Sequence, residues 1–72
     1  MGPNRLVTAA PESARARLIA HARARGYAHL SKVTGIPEST IRTHAEGIHV
    51  PRLDARAAYA DADIAALDMP WG

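Results

Sequence analysis

The sequence predicts an all-α domain, a compact bundle of four or five short helices. Sixteen of the 72 residues are alanine, the strongest helix former. No window alternates like a strand for longer than residues 47–50, and no Asn-Gly or Asp-Gly hairpin turn is present. Glycines and prolines divide the chain into segments whose lengths are typical of short helices.

The first helix is expected to begin near Pro11, since proline is tolerated in a first helical turn. Thr8 or Ala10 is its expected N-cap. A glycine follows Arg25, which makes Arg25 the expected end of this helix. A short second helix is expected over residues 28–34.

Two further helices and a final turn are predicted after the second helix. Pro37 opens the third helix, which ends before Gly47. Pro51 opens the fourth helix. Residues 64–71 are expected to form a short helical turn ended by Pro70.

The apolar residues predict which face of each helix is buried. In the fourth helix, Leu53, Ala57, Ala60 and Ile64 follow helical spacing, and Tyr59 lies off this stripe, within reach of the core edge. The expected core consists of the larger aliphatic residues on these faces: Leu18, Ile19, Leu30, Val33, Ile36, Ile41, Leu53 and Ile64.

Length and composition limit the organisation of the chain. Its 7.7 kDa make one domain, with a tail over residues 1–7 and the domain over residues 8–72. The absence of cysteine excludes disulfides, thiolate metal sites and a cysteine nucleophile. No apolar run reaches the length of a membrane span, and no signal-peptide core is present. We therefore expect a soluble cytoplasmic protein.

Charge is distributed unevenly along the chain. Up to Arg52 there are eight basic residues against three acidic ones, whereas residues 53–72 contain one arginine and four aspartates. Apart from Lys32, every basic residue is arginine, which suits forked contacts to phosphates and guanine edges. A GC-rich genome would also explain the arginine bias. The basic part is expected to face a polyanion such as nucleic acid.

Residues 27–46 have the spacing of a helix-turn-helix. Ser31 is small enough to let the second helix of the pair approach, and Gly35 permits a turn with positive φ. Ile36 and Ile41 anchor the second helix to the core, so that Glu38, Arg42 and Ala45 are expected to project outward together.

This segment resembles the phage-repressor and Cro-type helix-turn-helix regulators, the XRE-like family. The resemblance covers roughly residues 17–63 and is strongest in TGIPESTIRTHAEG, residues 34–47. It implies a bacterial or phage transcriptional regulator that places the helix 37–46 in the DNA major groove, in the nucleoid. RNA polymerase is a second candidate partner.

The resemblance also implies roles for individual residues. Arg42 is expected to contact guanine and Glu38 a cytosine amine, although the two, four residues apart, also suit a simple helix ion pair. Ser39, Thr40 and Thr43 lie beside them. Residues at the edges of the motif are expected to contact phosphate. The expected DNA-binding set is Tyr27, His29, Lys32, Pro37, Glu38, Ser39, Thr40, Arg42, Thr43, His49 and Arg52.

Relatives of this kind bind palindromic operators as dimers. The apolar residues Ile64, Leu67, Met69 and Trp71, in the acidic C-terminal part, are the candidate dimer contact. The alternative is that they cover the core of their own chain.

Two other function classes are weighed against DNA binding. The four histidines lack metal-ligand spacing, no nucleophile motif or paired acids occur, and we expect neither an enzyme nor a cofactor, with the histidines solvated or at the core edge. A protein-interaction module on the same scaffold is the alternative function, because Glu38 and Glu46 are unfavourable beside phosphates. Glu46 is expected to turn towards an arginine of the first helix, Arg23.

Overall fold

A computed structural model describes residues 13–72, and this part of the chain is all-helical, with no strand, as the sequence predicts. Four helices follow one another in the order α1 (Ala14–Arg25), α2 (Tyr27–Thr34), α3 (Glu38–Glu46) and α4 (Leu53–Asp61). After α4 the described chain forms turns instead of the expected short helix at residues 64–71. The tail 1–7 and the expected cap and start of the first helix, Thr8, Ala10 and Pro11, lie outside the described residues.

Local sequence explains where the helices begin and end. Ser13 caps α1, and its hydroxyl accepts a hydrogen bond from the amide of Ala16 at 3.1 Å. Gly35, with φ of 77°, ends α2 in the left-handed region, as predicted. Gly47 ends α3 in the same way, with φ of 80°.

The core lies where α1, α2, α3 and α4 meet. Leu18, Leu30, Ile41 and Ile64 are buried as predicted, and Ile19 and Ile36 pack against them half-buried. Smaller or aromatic residues complete the core: Ala14, Ala45, Tyr59, Ala65 and Trp71.

Two predicted core residues are exposed, and one residue predicted to lie off the core stripe is buried. Val33 is 48% exposed and Leu53 is 71% exposed, whereas Tyr59 is only 1% exposed. Leu53 is the first residue of α4, at the edge of the packed region. The phase of α4 is set by Tyr59, because its ring fills the core and its hydroxyl finds a hydrogen-bond partner in His44 at 2.7 Å.

The C-terminal segment, residues 62–72, returns across the start of α1. The carbonyl of Pro70 accepts from the amide of Ala14 at 2.9 Å, and that of Trp71 accepts from the amide of Arg15 at 2.8 Å. The Arg56 guanidinium donates to the carbonyl of Met69. The segment therefore satisfies helix-terminal amides that have no partner inside α1. None of the helices in residues 13–72 has the length and apolarity required to cross a bilayer.

Candidate nucleic-acid interface

Helix α3 presents a polar face outward. Ile41 is fully buried, and this fixes Glu38 and Arg42 on the exposed side, as expected. Ala45 was expected on the same side but is 4% exposed, because the C-terminal half of α3 packs against the core. The outward face consists of exposed Pro37, Glu38, Ser39 and Arg42 with half-buried Thr40 and Thr43.

The guanidinium of Arg42 lies over the ring of Tyr27, with its central carbon 4.6 Å from the ring centroid. This is cation–π distance. Among residues 13–72 no carboxylate lies within 4.0 Å of that guanidinium, so the Arg42 partner here is the aromatic ring and not Glu38. Tyr27, which was expected to contact phosphate, has its ring against this α3 side chain.

Arg15 of α1 holds the C-terminal end of α3. Its Nε donates to the Ala45 carbonyl at 2.8 Å, a favourable place for a cation because helix C-termini carry partial negative charge. A Cβ on Gly47 would lie 3.3 Å from the Arg15 guanidinium, a tight contact that a small movement of this side chain would relieve, so the positive φ is what requires glycine here. The expected inward turn of Glu46 towards Arg23 is wrong, because Glu46 is exposed to solvent. No sequence signal pointed to Arg15, which is 30 residues from Ala45.

An open groove of about 550 Å³ lies between α3 and the start of α4. Five residues of the expected DNA-binding set line it: Ser39, Thr40, Thr43, His49 and Arg52. Asp54 and Val50 also line the groove, so its wall is neither uniformly basic nor uniformly polar. The groove places hydroxyl donors and two basic side chains along one side of the exposed face of α3.

Two other residues of the expected DNA-binding set, His29 and Lys32, lie outside this groove. His29 lines a separate depression with His21 and Arg25, together with residues 62–64. Lys32 is exposed on α2. The structure therefore brings together the α3 residues and those of the loop after α3, but His29 lies in a different depression.

His44 forms the buried polar centre of the domain and is not solvated or at the core edge as expected. It is 5% exposed, its Nδ1 is hydrogen-bonded to the Tyr59 hydroxyl, and its ring meets those of Tyr59 and Trp71 edge-on at 5.8 and 6.0 Å. Burial lowers the pKa of His44, and the nearby charge of His49 lowers it further. Burial raises the pKa of Tyr59.

The residues expected at a dimer contact differ in exposure, and most of them pack within their own chain. Ile64 and Trp71 are buried in the core of their own chain, and Met69 packs against it half-buried. Leu67 is 45% exposed. More exposed apolar side chains follow α3. Ile48 at 60% and Val50 at 69% were not singled out from the sequence, whereas Leu53 at 71% was expected in the core.

No group of three or more His, Asp or Glu side chains within residues 13–72 is arranged to hold a metal ion. No family model matches the chain, and no curated protein or solved structure matches it either. Functional inference therefore rests on the side chains of α3 and its neighbours. They offer a forked guanidinium, a carboxylate and hydroxyls on one accessible helix face, which suits hydrogen bonding to an extended polar ligand.

Proposed function

We propose that this domain is a sequence-specific, duplex DNA-binding transcriptional regulator in which α2 and α3 act as a helix-turn-helix and α3 enters the major groove. The observation that carries the proposal is the exposed Arg42 guanidinium, held over Tyr27 on the outward face of α3. A forked guanidinium on an exposed helix matches the acceptor pair O6 and N7 of guanine.

The other residues of the face have complementary roles in this proposal. Glu38, in the first turn of α3, accepts from a cytosine amine, and Ser39 and Thr40 contact phosphate or thymine methyl groups. His49 and Arg52, across the groove from α3, follow the DNA backbone. Asp54 in the same groove limits how closely a phosphate approaches that wall.

The charge distribution supports a polyanionic ligand for the first part of the chain. Eight of nine basic residues occur by Arg52, whereas four of the seven acidic residues follow it. The acidic C-terminal part is expected to face away from DNA. In this proposal the protein acts in the cytoplasm, at the nucleoid, with RNA polymerase as a further candidate partner.

A second copy of the chain belongs to the proposal because one recognition helix reads only a few base pairs. Two-fold dimers reach half-sites about one helical turn, roughly 34 Å, apart. Since Ile64 and Trp71 are buried, Leu67 and the edge of Met69 are what remains of the expected contact. So small a contact favours association on the operator over a stable free dimer.

A second candidate function, docking of a protein partner, is favoured by one observation. Ile48 and Val50, between α3 and α4, and Leu53, the first residue of α4, expose large apolar side chains. Such exposure is costly in water unless a partner covers it. In this alternative the scaffold is kept and the contact surface is the loop after α3.

The experiment that separates the two functions is selection of bound duplexes from random DNA, followed by affinity measurements at several salt concentrations. A DNA-binding regulator enriches one sequence, and its log affinity falls with log salt by about 0.9 per phosphate neutralised. Failure to enrich any sequence, with no salt-dependent binding to any duplex, would reject the DNA proposal and leave the protein-partner function.

A further inference from the structure

The contact between Tyr27 and Arg42 joins a half-buried side chain to an exposed one. Tyr27 is the first residue of α2, and its half-buried ring packs against the hydrophobic core. Arg42, in the middle of α3, is exposed to solvent. The ring therefore provides a packed surface on which the guanidinium of exposed Arg42 rests, 4.6 Å from the ring centroid.

This arrangement restricts what Arg42 can do. An exposed arginine side chain has many rotamers, and fixing one of them on binding costs affinity. Stacking on an aromatic ring occupies one face of the guanidinium but leaves its edge of N–H donors free. Without the ring, Arg42 is free to pair with Glu38, one helical turn earlier, or to reach a phosphate.

We propose that Tyr27 is a positioning residue that determines base preference by holding Arg42 in the orientation in which it reads the groove. The inference rests on the proposed DNA-binding function and extends it to a residue on the neighbouring helix. It replaces the expected role of Tyr27 as a phosphate contact, because the working part of Tyr27 is its ring and not its hydroxyl.

The contact is tested first in the free protein, where no DNA is needed. In NMR spectra the ring current of Tyr27 shifts the Arg42 side-chain resonances. Tyr27→Phe keeps these shifts, whereas Tyr27→Leu moves them to ordinary arginine positions. Val33→Ala, an exposed change on the same helix, is the matched control and leaves them unchanged. Equal Arg42 chemical shifts in the parent and all three variants would show that the Tyr27–Arg42 contact does not form in solution.

The functional effect is tested by a double-mutant cycle on the selected DNA site, with thermal unfolding of each variant as the folding control. Tyr27→Phe binds like the parent. Tyr27→Leu loses about threefold to tenfold in affinity for the site and relaxes the preference at one base pair, as expected for a lost cation–π contact. In an Arg42→Ala background Tyr27→Leu has no further effect, since Tyr27 acts only through Arg42.

Two results in the cycle would overturn the proposal. One is an equal loss for Tyr27→Phe and Tyr27→Leu on every sequence, which would make the hydroxyl a phosphate contact. The other is a Tyr27→Leu loss that persists unchanged in the Arg42→Ala background. Failure of the parent protein to select any DNA is a different outcome, because it rejects the proposed function while the NMR experiment still tests the contact.

Discussion

Trp71 is the residue whose removal tests the fold most severely. It lies near the end of the chain, yet it is 8% exposed, stacks on Tyr59 with ring centroids 5.8 Å apart, and meets His44 edge-on. Its backbone carbonyl also accepts from α1. Replacement by alanine removes the ring and leaves the backbone bonds in place.

The magnitude follows from the buried surface and from one unsatisfied group. A buried aromatic ring removes about 200 Å² from water, which is worth about 5 kcal/mol at 25 cal/mol per Å². The Trp71 indole N–H is buried without a partner in the described structure, and leaving such a donor unpaired costs about 1–3 kcal/mol. The net loss for Trp71→Ala is therefore about 2–4 kcal/mol. Trp71→Phe removes the unpaired N–H and keeps the stacking, so it should change stability by less than about 1 kcal/mol.

Urea and thermal unfolding followed by far-UV circular dichroism measure both variants against the parent. For a domain of this size the Trp71→Ala loss corresponds to a fall in Tm of roughly 10–30 °C. An unchanged Tm for a soluble Trp71→Ala protein would show that the C-terminal segment does not pack in solution. An equal loss for Trp71→Phe would refute the argument from the unpaired N–H.

Three further predictions concern the supports of α3. Ile41→Ala should lower the free energy of unfolding by about 2–5 kcal/mol, and unchanged stability would mean that α3 is rotated. Arg15→Ala should cost about 1–2 kcal/mol because α3 loses a charged donor at its C-terminus, while Arg23→Ala, an exposed change on the same helix, should cost under about 0.5 kcal/mol. Because burial lowers the pKa of His44, the unfolded state binds its proton first as the pH falls. Folding stability measured by urea titration should therefore fall below about pH 6.5, more steeply in the parent and in a His29→Gln control than in His44→Gln.

The four helices and most of their boundaries could be predicted because their signals are local, although α4 begins at Leu53 and not at Pro51 as expected. Gly35 and Gly47 adopt the left-handed conformation that ends a helix, and proline or glycine precedes each of the later helices. Ile41 and Leu30 carry enough apolar surface in polar surroundings to identify the inward face of α2 and α3.

The phase of α4 could not be predicted in the same way. Half of its expected stripe was alanine, whose burial contributes too little free energy to decide which face is buried. Tyr59 decided the phase through a hydrogen bond to His44, 15 residues away, and the Trp71 ring completed the cluster. These contacts depend on tertiary packing and cannot be predicted from the periodicity of apolar residues within one helix.

The arrangement of the candidate site could be predicted only in part, because some of its features are local to one helix and others join different helices. The exposure of Glu38 and Arg42 follows from the burial of Ile41 within one helix, so sequence spacing was sufficient. The contact of Arg42 with Tyr27 and that of Arg15 with α3 join different helices. Because the chain contains many arginines, its sequence does not indicate which residue each of them contacts.

Comparing Arg42→Ala with Lys32→Ala, on the selected duplex and on a scrambled duplex, tests whether the proposed recognition helix α3 reads DNA sequence. We predict that Arg42→Ala costs about 1–3 kcal/mol on the selected duplex and little on the scrambled one, which relaxes preference at one base pair. Lys32→Ala should weaken both duplexes about equally. Equal losses for the two variants on both duplexes would mean that Arg42 contacts phosphate only, and no loss for Arg42→Ala on either duplex would mean that α3 does not read DNA through Arg42.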